Sequence, residues 1–271
     1  MWEQRVAETR SYAGGMEPTV ARFRALARSS PWRWSTLRYV QQQDPSGREQ
    51  GPVRIFIRRP KLARVERLDG TLLRVLREEP ETFTPLSRHG DARPVELPGL
   101  ADAKVDLDAD ELVRRRPDRW EYDADTAMIG NYYDVAMLDP LELADGHEGN
   151  PGTTIDELRL VDHRGREAWE AVLRPTAVYD PRCPCCSLLL SEPIEEAGFD
   201  LRTEDPGFAY PHAHRVRLDV GTGVCVFNEQ FGGTRAGTGH DITIEAVDEP
   251  MGDELFPPPE PSRWSRFPRR S

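Results

Sequence analysis

No apolar run in this 271-residue chain approaches the roughly eighteen residues that a membrane-crossing helix requires. Residues 1–10 lack the apolar core of an export signal and carry acids in its place, so a cytoplasmic protein is expected. Equally absent are the Gly-rich phosphate loop, the G-x-S-x-G elbow of serine hydrolases and the H-E-x-x-H helix of zinc proteases. Without these signatures the chain reads more readily as a non-enzymatic protein than as an enzyme. Basic residues are in deficit, 36 against 47 acids for a net charge of −11, and no basic stripe is interleaved with aromatics. Nucleic acid and anionic membrane surfaces are therefore not expected partners.

Cysteine is scarce but unevenly placed. Three of the four cysteines fall in Tyr179-Asp-Pro-Arg-Cys-Pro-Cys-Cys186, and Cys225 follows a Thr-Gly turn. In a reducing compartment such residues default to thiols, metal ligands or redox-active groups. About thirty residues beyond the cluster, His212 and His214 lead into a strand-like run, where they share a face with Val216 and Leu218. Cys225 is out of phase with Val224 and Val226 and is expected to point away from them. Adjacent side chains tend to point apart, so Cys183, Cys185 and Cys186 are not expected to share one ion with ideal geometry. Two of them with His212, His214 or Cys225 would supply four tetrahedral ligands for zinc at about 2.0–2.3 Å. Metal binding, redox chemistry and simple packing all remain open. Acid clusters at Asp106, Asp108, Asp110, Asp123 and Asp125, and the Asp145-Gly-His147-Glu148 loop, read as solvated or capping groups.

With 38% hydrophobic and 31% charged residues, the core must be economical. Residues 18–29 space Val20, Phe23, Leu26 and Ala27 as one helical face. From Trp32 the period becomes two, through residues 32–40 and then Val53, Ile55 and Ile57. Residues 62–68 and 71–76 flank Asp69-Gly70, a strong hairpin signal. Residues 79–105 read as loop, 108–116 as a short helix and 120–143 as buried helical packing. Strands resume over 155–162 and 166–178, with Trp169, Ala171 and Leu173 on one face, and again over 214–220, 224–230 and 241–247. Short turns between period-two strands imply antiparallel pairing, with helices over one face: an α+β fold. The expected organisation is an N-terminal segment 1–17, a single domain 18–256 with a helical insert near 108–143, and a disordered Pro/Arg-rich tail 257–271.

Four segments, in this order, resemble the lipoprotein-carrier (LolA/LolB and RseB-type) superfamily. Arg54-Ile-Phe-Ile-Arg-Arg-Pro-Lys-Leu-Ala-Arg-Val-Glu66 with Leu68-Asp-Gly70 is similar to its strand pair. Met137-Leu-Asp-Pro-Leu-Glu-Leu-Ala144 resembles its helix, Gly165-Arg-Glu-Ala-Trp-Glu-Ala-Val-Leu-Arg-Pro175 a strand, and Arg215-Val-Arg-Leu-Asp-Val-Gly-Thr-Gly-Val224 a hairpin. The resemblance implies a curved antiparallel sheet, an open half-barrel, with helices on its concave face. It also implies an apolar small molecule or a peptide or protein segment bound between them. Trp34, Ile55, Ile57, Trp169, Val216 and Leu218 are the side chains expected to line that space. Two functions follow as expectations: a binding or regulatory protein with an apolar ligand, or a zinc-binding or thiol-redox protein acting through Cys183, Cys185 and Cys186 with His212 and His214.

Overall fold

Alternation of apolar and charged side chains places most of the regular structure in strands. The computed structural model describes residues 17–42, 51–78, 103–117, 127–144, 151–192 and 199–258, together with the backbone of the two-residue strands Thr82–Phe83 and Val95–Glu96. The segments 1–17 and 257–271, the acids Asp123 and Asp125 and the loop around His147 fall wholly or mostly outside the described residues.

Nine antiparallel strands form one open sheet. The first meander comprises β1 (Thr36–Gln41), β2 (Val53–Arg58), β3 (Leu62–Arg67) and β4 (Leu72–Arg77). Strands β5 (Thr82–Phe83) and β6 (Val95–Glu96) pair only with each other. The second meander comprises β7 (Thr153–His163), β8 (Arg166–Pro175), β9 (Ala213–Asp219), β10 (Cys225–Phe231) and β11 (Gly239–Val247). The order is β4-β3-β2-β1-β11-β10-β9-β8-β7, so the two meanders join where the first strand meets the last. Strands β4 and β7 do not pair, and the sheet stays open.

Register puts the apolar residues on one face. Tyr39 lies between Ile55 and Ile244, Leu37 between Ile57 and Val247, Trp169 beside Leu218 and Ala171 beside Val216. On the opposite face charges pair across strands: Arg54 with Glu245 at 2.9 Å, Arg38 with Glu245 at 3.2 Å, Arg217 with Glu170 at 2.7 Å. The half-buried Arg38–Glu245 and Arg54–Glu245 pairs each contribute on the order of 1 kcal/mol, while the Glu170 carboxylate is itself buried. Burial of the other face carries the stability.

Two helices cover that face. Helix α1 (Val20–Ser29) is capped by Thr19, whose hydroxyl accepts the Arg22 amide at 3.2 Å, and it buries Phe23, Leu26 and Ala27. Helix α2 (Tyr132–Leu138) begins with a capping box: Asn131 accepts the Tyr133 amide at 2.8 Å, and Asp134 reaches back to the Asn131 amide. It contacts β10, while α1 reaches β9. Among the described residues no helix is long and apolar enough to cross a membrane.

Three local expectations are corrected. Residues 108–116 form no helix: the Asp108 carboxylate accepts the amides of Asp110 and Leu112, both at 2.9 Å, and Glu111 has φ of 60°. A short side chain bonding its own backbone has replaced the helical ladder. Trp32 sits in a 3-10 turn, Ser30–Trp32, with Pro31 as its second residue, so β1 starts only at Thr36. Cys225 does not point away from the core. The register shifts between Cys225 and Phe227, a bulge that sets Cys225 opposite Leu218, fully buried.

Candidate functional site

The chain leaves β8 at Pro175 and returns at His212, and two buried acids anchor its first part. The first anchor is ionic. Arg182 donates to Asp139 at 3.1 Å, and Arg116 bonds the same carboxylate with two nitrogens. Asp139 is 1% exposed. Burial alone would raise its pKa, but the two guanidiniums prevail and hold it below the ordinary carboxylate value. The second anchor is a buried acid. Glu142 accepts the Tyr179 hydroxyl and, at 3.2 Å, the Leu188 amide, while the Tyr179 oxygen accepts the Leu189 amide at 3.1 Å. Burial pushes the Glu142 carboxyl up, against the pull of Tyr179 and Arg182. Leu188 and Leu189 are buried in the core beside it.

Between these anchors lie the cysteines. Pro184 opens a 3-10 turn, Pro184–Cys186, whose N-cap is Cys183. In a strand, Cys185 and Cys186 would point to opposite faces. The tight turn instead brings their sulfurs to 3.9 Å, with Cys183 Sγ 3.0 Å from Cys185 Sγ. All three sulfurs lie within 4.8 Å of one another. The expectation that adjacency would separate them is thus corrected by the turn.

The three thiols are not equivalent. Burial opposes ionisation of Cys183, but hydrogen bonds from the other two sulfurs and from the amides of Cys185 and Cys186 lower its pKa below the ordinary value. Cys185 is raised, chiefly because it donates to Cys183, and burial together with the Cys183 charge raises Cys186 further. Of the three, Cys183 is therefore the thiol that gives up its proton most readily. A divalent cation would displace the remaining protons. For a metal–sulfur distance of about 2.3 Å, tetrahedral geometry needs sulfurs about 3.8 Å apart, so the triangle requires only small adjustment.

The histidines belong to a different arrangement. Among the described residues, the three-sulfur group takes in neither His212 nor His214. His212 is exposed and packs its ring against Gly232, where a Cβ would sit 2.5 Å from Nδ1. His214 is fully buried, with Nε2 2.8 Å from the Leu190 carbonyl and Nδ1 3.0 Å from Asn228 Oδ1. Asn228 is oriented by its amide nitrogen, which donates to the Leu188 carbonyl at 2.7 Å. A neutral imidazole has one N–H and here faces two acceptors; burial nonetheless pushes its pKa down. Next in line, Asn228 donates to the Tyr133 hydroxyl at 3.3 Å, and Tyr133 donates to His240 Nδ1 at 2.7 Å. His240 Nε2 donates to the Cys225 carbonyl at 2.8 Å, and burial lowers its pKa to about 4. Cys225 is held protonated by burial, its pKa pushed up to about 12.

Cys185 and Cys186 form one wall of a cleft of about 540 Å³. Asn131 and Tyr133 from α2, Ser187 and Leu190 from the loop, and Gln230, Arg235, Thr238 and Gly239 from the β10–β11 hairpin complete it. The six side chains expected around an apolar ligand, Trp34, Ile55, Ile57, Trp169, Val216 and Leu218, are each at most 3% exposed and belong to one packed cluster. None lines this cleft or a second one of about 440 Å³ near Arg164 and Asp241. Sequence reasoning missed Asp139, Glu142, Asn228 and Arg235. The faint signals were a carboxylate before Pro140, at a helix end, and an amide directly after the apolar run Val224-Cys-Val-Phe227. No family model, curated protein or solved structure matches the chain, so the site is argued from its own geometry.

Proposed function

We propose that the protein works through a zinc-class metal ion held by Cys183, Cys185 and Cys186, with its fourth coordination position open to the cleft. The gathering of three sulfurs within 4.8 Å on a turn clamped at both ends carries this reading. Thiolates select soft or borderline cations. Structural zinc sites are closed by four protein ligands, whereas sites that bind or transform a substrate keep one position free. Three sulfurs beside a polar cleft match the second kind.

The lipoprotein-carrier resemblance is supported by an open antiparallel sheet with helices against one face. An apolar ligand in that fold would have to lie where Trp169, Ile55 and Leu218 now pack. Support therefore falls on the thiol site.

Elemental analysis of protein purified without chelator, with thiol titration before and after a strong chelator, tests the reading. One zinc per chain and three thiols newly reactive after chelation are expected, since Cys225 is buried. Cys185→Ser and Cys186→Ser should each lower zinc occupancy at least about tenfold. Full thiol reactivity without chelator would remove the metal. Loss of two thiols recoverable only by reductant would assign the 3.0 Å Cys183–Cys185 pair to redox chemistry instead.

A further inference from the structure

The cleft carries one charge. Arg235 is its single ionisable lining group apart from Tyr133 and the two cysteines. Several other arginines are paired with acids, among them Arg22 with Asp110, Arg54 with Glu245, and Arg116 and Arg182 with Asp139. Arg235 has no carboxylate partner among the described residues, and its guanidinium stands 5.4 Å from the Phe208 ring. In a chain of net charge −11, this exposed cation beside a thiol cluster is available to an anionic ligand.

The position of Arg235 is built. The amide of Thr234 donates to the Ala209 carbonyl at 2.8 Å, and the Thr234 hydroxyl accepts the Ala209 amide at 2.9 Å. On the other side Thr238 bonds the Arg235 carbonyl through its amide at 3.1 Å and its hydroxyl at 2.7 Å. The backbone of the hairpin tip is thereby fixed, and from it the exposed Arg235 side chain extends. Asn131, Gln230 and Thr238 add neutral donors and acceptors. The cleft volume falls within the range of small-molecule sites, about 300–1,000 Å³.

We propose that this cleft binds a low-molecular-weight thiol bearing a carboxylate, of the size of a small cysteinyl peptide. Its sulfur completes the coordination of the ion on Cys183, Cys185 and Cys186, and its carboxylate sits on Arg235. The inference rests on the three-thiolate reading and adds the ligand class. A soft ion with an open position takes a fourth thiolate in preference to oxygen donors. Guanidinium recognises carboxylate through paired hydrogen bonds that a neutral amide does not reproduce.

Cobalt(II)-loaded full-length protein provides the test, because its visible bands report each change of ligand. It is titrated with N-acetylcysteine, with the matched N-acetylcysteine amide and with S-methyl-N-acetylcysteine, and gel filtration confirms that cobalt stays with the protein. The expected result is a band shift with both thiols and none with the thioether, the acid binding at least about tenfold more tightly than the amide. Arg235→Ala should erase the preference for the acid while keeping the thiol-dependent shift, and Arg235→Lys should restore part of that preference. Equal affinity for acid and amide, or an acid preference unchanged in Arg235→Ala, overturns the proposal. Bands that respond to neither thiol also overturn it while leaving the metal reading standing. Failure to load cobalt at all sinks the metal reading, and this inference with it.

Discussion

Asp139→Asn is the sharpest perturbation of the site's foundation. The substitution keeps shape and removes one charge from a cluster in which the Asp139 and Arg116 side chains are 2% and 3% exposed and that of Arg182 7%. Two guanidiniums then face a neutral amide without solvent. Removing one partner of a buried pair costs about 3–5 kcal/mol, because the remaining charge stays desolvated. At about 2–4 °C per kcal/mol for a chain of this size, the melting temperature should fall by roughly 6–20 °C at pH 7. The sign with pH follows from the depressed pKa. The carboxylate's contribution is complete above its unfolded value of about 3.9 and is lost as pH falls through the lower folded value. Wild type and variant should therefore converge in strong acid. Arg182→Gln, which leaves the Arg116 pair intact, should cost less, about 1.5–3 kcal/mol for a hydrogen bond to a charged group. Both variants should weaken metal binding, since Arg182 immediately precedes Cys183. Thermal melts by circular dichroism at pH 7 and pH 3, with zinc content measured in parallel, check each step. An Asp139→Asn variant melting within about 2 °C of wild type at pH 7 would refute the view that this carboxylate holds the loop.

Two further outcomes concern the sheet behind the loop. The His240 pKa of about 4 lies roughly 2.5 units below the unfolded value of about 6.5, so at about 1.4 kcal/mol per unit its neutral form contributes on the order of 3 kcal/mol. That contribution is present above pH 6.5 and lost as pH falls toward 4; urea midpoints equal at pH 7.5 and pH 4.5 would contradict it. Gly239→Ala would place a Cβ 1.8 Å from the Asn228 carbonyl oxygen, a backbone atom with nowhere to yield. It should destabilise by at least about 2 kcal/mol, and a melt unchanged from wild type would show that β10 and β11 approach less closely than described.

The strands were legible because a half-buried antiparallel strand writes its register into alternate residues. Ile55, Ile57, Trp169, Val216 and Leu218 all lie on the face that their spacing assigned. What alternation omits is partner choice. Nothing local to residues 36–41 says that β1 meets β11 more than two hundred residues later, with a bulge between Arg38 and Tyr39. The same limit explains the misplacement of Cys225, since one extra residue in a strand reverses every parity argument beyond it. The helix expected over residues 108–116 failed for a shorter-range reason. Asp108 satisfies two amides with its own carboxylate, and periodicity does not register that competition.

For the site, the cluster was visible and its geometry was not. Three cysteines within four residues announce chemistry, but their convergence depends on a 3-10 turn whose ends are fixed by Asp139 and Glu142, some forty residues earlier. The buried histidines follow from the same requirement. A segment without strand or helix that crosses the inner face of a sheet brings carbonyls that must find donors. Asn228 supplies one to Leu188 and His214 one to Leu190, while Tyr133 and His240 carry the chain of bonds to Cys225 in the sheet. Strand parity had set His214 on the face of Val216 and Leu218, and a metal ligand was one use for a ring in that place. The Leu190 carbonyl is another. With one N–H for two acceptors, His214 serves the backbone of the loop that carries the sulfurs, and so ties that loop to the sheet without joining the three-sulfur group.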